Sequence, residues 1–145
     1  MTLQDAIEFI NASLAPAVLL TGVGLLLAGL QTKYSTLATV IRQLNAEKRR
    51  PDHSSLVPRL TQQIESLMAR AKLVRNAVFC FYATVFFLVC SSIALGLNVL
   101  SIFKSPTAIF TLFAIALAFL FAGLWYATRE ALLSYRIVQL ETAND

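Results

Sequence analysis

With 145 residues, the chain has room for one domain. Hydrophobic residues make up 57% of it and charged residues only 14%, whereas an ordinary globular chain has roughly 25% charged residues. The formal net charge is +4. The balance of apolar and charged residues excludes an ordinary soluble protein, because too little polar sequence is left to cover the apolar residues.

Three stretches contain no Asp, Glu, Lys, Arg or His: Phe9–Thr32, Asn76–Phe103 and Ser105–Thr128. Each is longer than the about 20 apolar residues with which a helix crosses the hydrocarbon core of a bilayer. Backbone groups in lipid must be hydrogen-bonded internally, so each stretch is expected to be helical. The predicted fold is therefore all-α, that of an integral membrane protein with three transmembrane helices.

The first predicted elements are an interfacial helix at residues 1–14 and a first span at residues 15–31. Small residues recur along one face of this segment at spacings that keep them together on a helix. We predict that four of them mediate helix packing, namely Ser13, Ala17, Gly24 and Ala28. Small residues let membrane helices approach closely, either within one chain or between chains, and both alternatives remain open here.

Residues 32–75 are predicted to form a basic helical hairpin on the cytoplasmic side, with its turn at Pro51–Ser55. The first arm is expected to continue the first span to about Lys48. Apolar residues recur on both arms at alternating spacings of four and three, which favours a short coiled-coil pairing. The stripes expected to face each other are Leu37, Ile41 and Leu44 on the first arm and Leu60, Ile64 and Leu67 on the second.

The second span is predicted at residues 76–99 and the third at residues 106–127. Ser105 followed by Pro106 is typical of a helix start, with a capping hydroxyl before a proline in the first turn. Residues 128–141 are predicted to form a further cytoplasmic helix, whose apolar stripe could complete a three-helix stem.

The distribution of cations predicts the orientation. Nine of the twelve Lys and Arg residues lie between Thr32 and Arg75, whereas the second connection contains Lys104 alone. No cation precedes Lys33. The positive-inside rule then predicts an outside N-terminus, a cytoplasmic basic hairpin and a cytoplasmic C-terminus.

The sequence contains no pattern typical of catalysis or phosphate binding. His53 is the only histidine, and one histidine without neighbouring ligands does not form a metal site of the usual ligand number. Cys80 and Cys90 are about 15 Å apart along a helix, too far for a disulfide. We therefore predict no enzymatic activity, no cofactor and no metal. We also predict no nucleic-acid partner, because membrane topology accounts for the basic cluster Lys48–Arg50.

Four segments of the chain resemble a bacterial family of small three-span inner-membrane proteins of unknown function. They are INASLAPAVLLTGVGLLLAGL, TVIRQLNAEKRR, RAKLVRNAVFCFYATVFFLVCSSIALG and TREALLSYRIVQLE. The resemblance covers nearly the whole chain. It implies a bacterial inner-membrane location, and it implies neither an activity nor functional residues.

The predicted function is a structural or accessory one, in which the helices assemble in the bilayer with copies of the same chain or with a larger membrane complex. The alternative is an oligomeric channel or passive transporter. Its pore could be lined by polar residues of the first two spans, namely Thr21, Thr84, Ser91, Ser92 or Asn98. The lack of charged residues inside the spans counts against a proton-coupled transporter.

Overall fold

The computed structural model describes residues 3–49, 57–99 and 105–142, which form three long helices. Helix α1 spans Leu3–Lys48, α2 spans Val57–Val99 and α3 spans Pro106–Thr142. The described residues contain no strand. All three helices are long and apolar enough to cross a membrane, which confirms the predicted all-α fold.

Helix α1 is continuous from Leu3, so the predicted interfacial helix and first span belong to one helix. Whether its first turns lie in the membrane interface stays a prediction. Pro16 is buried inside α1. It removes one intrahelical donor without ending the helix, which membrane helices tolerate. Helix α1 continues well past the first uncharged stretch and ends at Lys48, which confirms the predicted end.

The starts of the other two helices also follow local sequence. Helix α2 begins at Val57 and runs without interruption through the end of the basic segment to Val99. Helix α3 begins at Pro106 as predicted, and the Ala108 amide donates a hydrogen bond to the Ser105 carbonyl at 3.2 Å. The predicted turn at Pro51–Ser55 and the residues 101–104 lie outside the described residues.

The described residues divide into two compact units, and the first comprises Met1–Ala28 and Phe79–Gly123. The Phe87 and Phe119 rings are stacked there at a centroid distance of 5.6 Å. Phe81 lies beside Gly123, and Phe87, later on α2, pairs with Phe119, earlier on α3, so the two helices run antiparallel. The buried side chains of this unit include Val23, Cys80, Phe81, Thr84, Leu88, Ser91 and Ala116.

The second unit comprises Gly29–Val78 and Leu124–Asp145. Its buried residues include Leu30, Leu37, Ile64, Val74, Ala77 and Glu130. Leu37 and Ile64 belong to the two stripes predicted to face each other, and both are buried. Their direct pairing stays a prediction.

Large apolar side chains cover much of the exterior of the first unit. Leu25, Phe110 and Phe121 are 72%, 72% and 75% exposed. Such a surface is unfavourable in water but is the expected outer surface of helices in lipid. Together with the three long apolar helices, it identifies a multi-pass membrane protein.

Candidate functional site

The most tightly organised polar group in the described part of the chain is a charged cluster around Glu130, in the second unit. Its side chain is 1% exposed. Glu130 Oε2 lies 3.1 Å from Lys33 Nζ, and Oε1 lies 3.2 Å from Arg70 Nη2. Ser134 Oγ donates a further hydrogen bond to Oε1 at 2.8 Å. One carboxylate thus connects residues of all three helices.

Burial makes this carboxylate dependent on its partners. A buried charge is strongly unfavourable unless paired and hydrogen-bonded, and removal of one partner costs far more than the pair contributes. The two cations differ, since the Lys33 side chain is 56% exposed and that of Arg70 only 22%. Arg70 is therefore the partner that compensates the buried charge most directly.

A small cavity of about 210 Å³ lies beside this cluster. Thr32, Lys33 and Thr36 contribute to its lining on α1, together with Arg70 and Glu130. Arg70 Nε is buried and has no hydrogen-bond partner among the described residues. Five of the six lining residues carry polar side chains, and the cavity is large enough for a water molecule, which would satisfy this donor. Donors from Lys33, Arg70 and Ser134 engage both oxygens of Glu130, an arrangement that links the three helices at this level.

Sequence reasoning did not single out Glu130, which it assigned only to the helix at residues 128–141. One signal was available. Lys33 immediately follows the first uncharged stretch, and Glu130 lies two residues after the third. Alternating spans give the first and third the same direction, so the residues that follow these two spans lie at the same level, and an acid there is a candidate partner for the cations.

The predicted helix-packing residues lie along α1 in the first unit. Ala17, Gly24 and Ala28 are exposed, and Ser13 is partly buried. A Cβ atom added at Gly24 would meet nothing within 4 Å. At Gly24, therefore, no described part of the chain uses the small face for close packing. That these four residues mediate helix packing stays a prediction.

Four hydroxyl groups of the first two spans donate hydrogen bonds to backbone carbonyls. Thr21, Thr84 and Ser92 each donate to the carbonyl four residues earlier. Ser91 donates to the Ile109 carbonyl on α3 at 3.5 Å. Asn98 lines a cavity of about 450 Å³ in the first unit. Thr84 and Ser91 are also buried within the chain, so neither is placed on an outer face that could line a pore between chains.

The described residues contain no group of three His, Cys, Asp or Glu side chains that could hold a metal ion. His53, the only histidine, lies outside the described residues. Cys80 is buried and Cys90 is partly buried, and both are free thiols.

These features define a class, that of small helical membrane proteins built from three long apolar helices. Within that class, the chain belongs to the family described as "Protein of unknown function (DUF2721)", whose model matches residues 13–140. The match begins at Ser13 and includes α2 completely and nearly all of α3. No curated protein and no solved structure matches the chain.

Proposed function

We propose that this protein is a structural or accessory membrane protein that assembles through its helices, with copies of itself or with a larger membrane complex. The observation that carries the proposal is the small face of α1, defined by Ala17, Gly24 and Ala28. All three residues are exposed, and a side chain at Gly24 would meet empty space.

The physical argument concerns how membrane helices attract each other. Lipid tails are as apolar as leucine, so burial of apolar area does not drive association there. Close backbone contact does, and it requires small residues on the facing surface. Within the chain α1 leaves this surface open at Gly24, which supports a partner helix from another chain.

The hydrogen bonds of the hydroxyl groups favour assembly over the alternative of a channel or passive transporter. A pore needs polar groups that face a common aqueous path. The hydroxyl groups of Thr21, Thr84 and Ser92 instead bond to carbonyls of their own helix. Ion flux through reconstituted liposomes would distinguish the two functions.

We further propose that the protein lies in the bacterial inner membrane with the N-terminus outside and the C-terminus in the cytoplasm. The cations of the segment between α1 and α2 support this orientation. Trp125 supports a membrane boundary at this point of α3 rather than the orientation, because its side chain is 59% exposed. The Arg129 guanidinium lies 5.5 Å from the centroid of its ring. Exposed tryptophan beside a cation is typical of the headgroup level.

The test is the substitution Gly24→Leu in the full chain, with Gly22→Leu as its matched control. Neither position has anything within 4 Å of an added Cβ atom, so neither leucine is expected to disturb the fold. The two residues point to nearly opposite sides of α1, because each residue advances the helix by about 100°. The assembly is measured as particle mass in mild detergent.

We expect Gly24→Leu to lower the mass of the particle while its helix content stays unchanged, and Gly22→Leu to leave both unchanged. If Gly22→Leu lowers the particle mass and Gly24→Leu does not, the interface lies on the opposite side of α1. A wild-type protein that is a monomer without any co-purified partner would refute assembly altogether.

A further inference from the structure

Three cations surround one groove in the second unit. Arg42 on α1 and Lys72 and Arg75 on α2 line a space of about 420 Å³ between the two helices. This volume lies within the usual range of ligand sites, roughly 300–1,000 Å³. The other lining residues are Tyr34, Ala38, Ile41, Asn45, Met68 and Ala71.

The charge of this groove is not compensated within the described part of the chain. No Asp or Glu lines it. Glu130, the buried acid of the same unit, is occupied by Lys33 and Arg70. Arg42, Lys72 and Arg75 are exposed and have no hydrogen-bond or ion-pair partner among the described residues. The groove therefore presents three free cationic groups to a ligand.

The floor of the groove is apolar, and one end lies at the boundary of the uncharged stretches. Ala38, Ile41, Met68 and Ala71 provide the apolar surface between the cations. Arg75 directly precedes the second uncharged stretch, and Tyr34 lies two residues after the end of the first. A ligand that matches this surface carries negative charge at one end and apolar atoms at the other.

We propose that this groove binds the phosphate headgroup of an anionic phospholipid. Arginine offers a planar fork of donors that fits phosphate oxygens, and lysine adds a mobile point charge. The phenol of Tyr34 and the amide of Asn45 provide neutral donors for the rest of the headgroup. The first carbons of the acyl chains contact the apolar floor of the groove.

Membrane topology alone does not explain this arrangement. The positive-inside rule concerns the number of cations in a connection, not their convergence on one groove. Lys48, Arg49 and Arg59 belong to the same basic segment and do not line it. They provide a matched comparison, because they carry the same charge on the same segment.

The experiment measures lipid binding to the full-length protein after delipidation in detergent. Phosphatidylglycerol and phosphatidylcholine are titrated separately, and bound lipid is counted by native mass spectrometry. The groove variant is Arg42→Gln/Lys72→Gln/Arg75→Gln, and the control is Lys48→Gln/Arg49→Gln/Arg59→Gln. We expect the wild-type protein to prefer phosphatidylglycerol by about tenfold or more, since each cation near anionic lipid contributes about 1 kcal/mol. The groove variant should lose this preference and the control variant should keep it.

A second variant protects the test against misfolding of the first. Ala71→Phe retains all three cations but fills the floor of the groove, so it should also weaken phosphatidylglycerol binding. Equal loss in the groove and control variants would overturn the proposal in favour of diffuse positive charge. Equal binding of both lipids by the wild-type protein would overturn it as well. If millimolar inorganic phosphate displaces the lipid, the ligand of the groove is a soluble phosphate compound and not a phospholipid.

Discussion

The guanidinium of Arg70 donates a hydrogen bond to Oε1 of Glu130 at 3.2 Å, across 60 positions of the chain. Lys33 holds the other oxygen of the same carboxylate at 3.1 Å, across 97 positions. These contacts link α1, α2 and α3 through one buried side chain. They are unequal, since the side chain of Lys33 is far more exposed than that of Arg70.

The first prediction concerns this inequality. Arg70→Gln should lower the free energy of unfolding by about 3 kcal/mol, as expected when a buried acid loses its principal cation. Lys33→Gln should cost about 1 kcal/mol or less, because exposed ion pairs are screened by solvent. Unfolding is followed by circular dichroism during SDS titration in mixed micelles.

Arg59→Gln is the control for this comparison, because Arg59 is exposed on the same helix as Arg70. It should leave stability nearly unchanged. Equal costs for Arg70→Gln and Lys33→Gln would contradict the assignment of Arg70 as the principal partner. A Glu130→Gln variant as stable as the wild-type protein would show that the cluster does not stabilise the fold.

The second prediction concerns the contact between Gly123 and Phe81. An added Cβ atom at Gly123 would lie only 3.0 Å from Cε1 of the fully buried Phe81 ring. Gly123→Ala should therefore destabilise the protein by about 1–3 kcal/mol, the usual cost of overpacking a core. Gly22→Ala, which meets nothing within 4 Å, should leave stability unchanged or raise it by up to about 1 kcal/mol. Thermal unfolding monitored by Trp125 fluorescence measures both, and the prediction fails if the two variants unfold at the same temperature.

The third prediction concerns orientation. A reporter fused after Asp145 should behave as cytoplasmic, and one inserted between Ser101 and Ser105 as external, because the cations are concentrated between α1 and α2. Paired alkaline phosphatase and fluorescent-protein fusions measure this in cells. Transfer of several cations into the second connection provides the control, since it should weaken or invert the preference. The reverse pattern in the unmodified chain would overturn the proposed orientation.

The sequence by itself determined the elements that depend on local properties. The three uncharged stretches predict the three long helices, because bilayer thickness sets the apolar length that a span requires. The end of α1 at Lys48 followed from apolar periodicity that continues past the first span and from the absence of Gly or Pro between that span and Pro51. The start of α3 at Pro106 followed from a proline whose missing donor is harmless in the first turn of a helix.

Only the tertiary structure decided which side chains meet. A stripe such as Ala17, Gly24 and Ala28 can face a neighbouring helix, another chain or lipid, and the rotation of α1 in the fold is what exposes it. The pairing of Glu130 with Arg70 and the convergence of Arg42 with Lys72 depend on the rotation and register of the helices. Rotation and register are set by packing between helices, as between Phe81 of α2 and Gly123 of α3 in the first unit. Local sequence gives the periodicity of each helix but not the partner that each face meets. The pairing of faces depends on the energy of the whole packed structure, to which all three helices contribute.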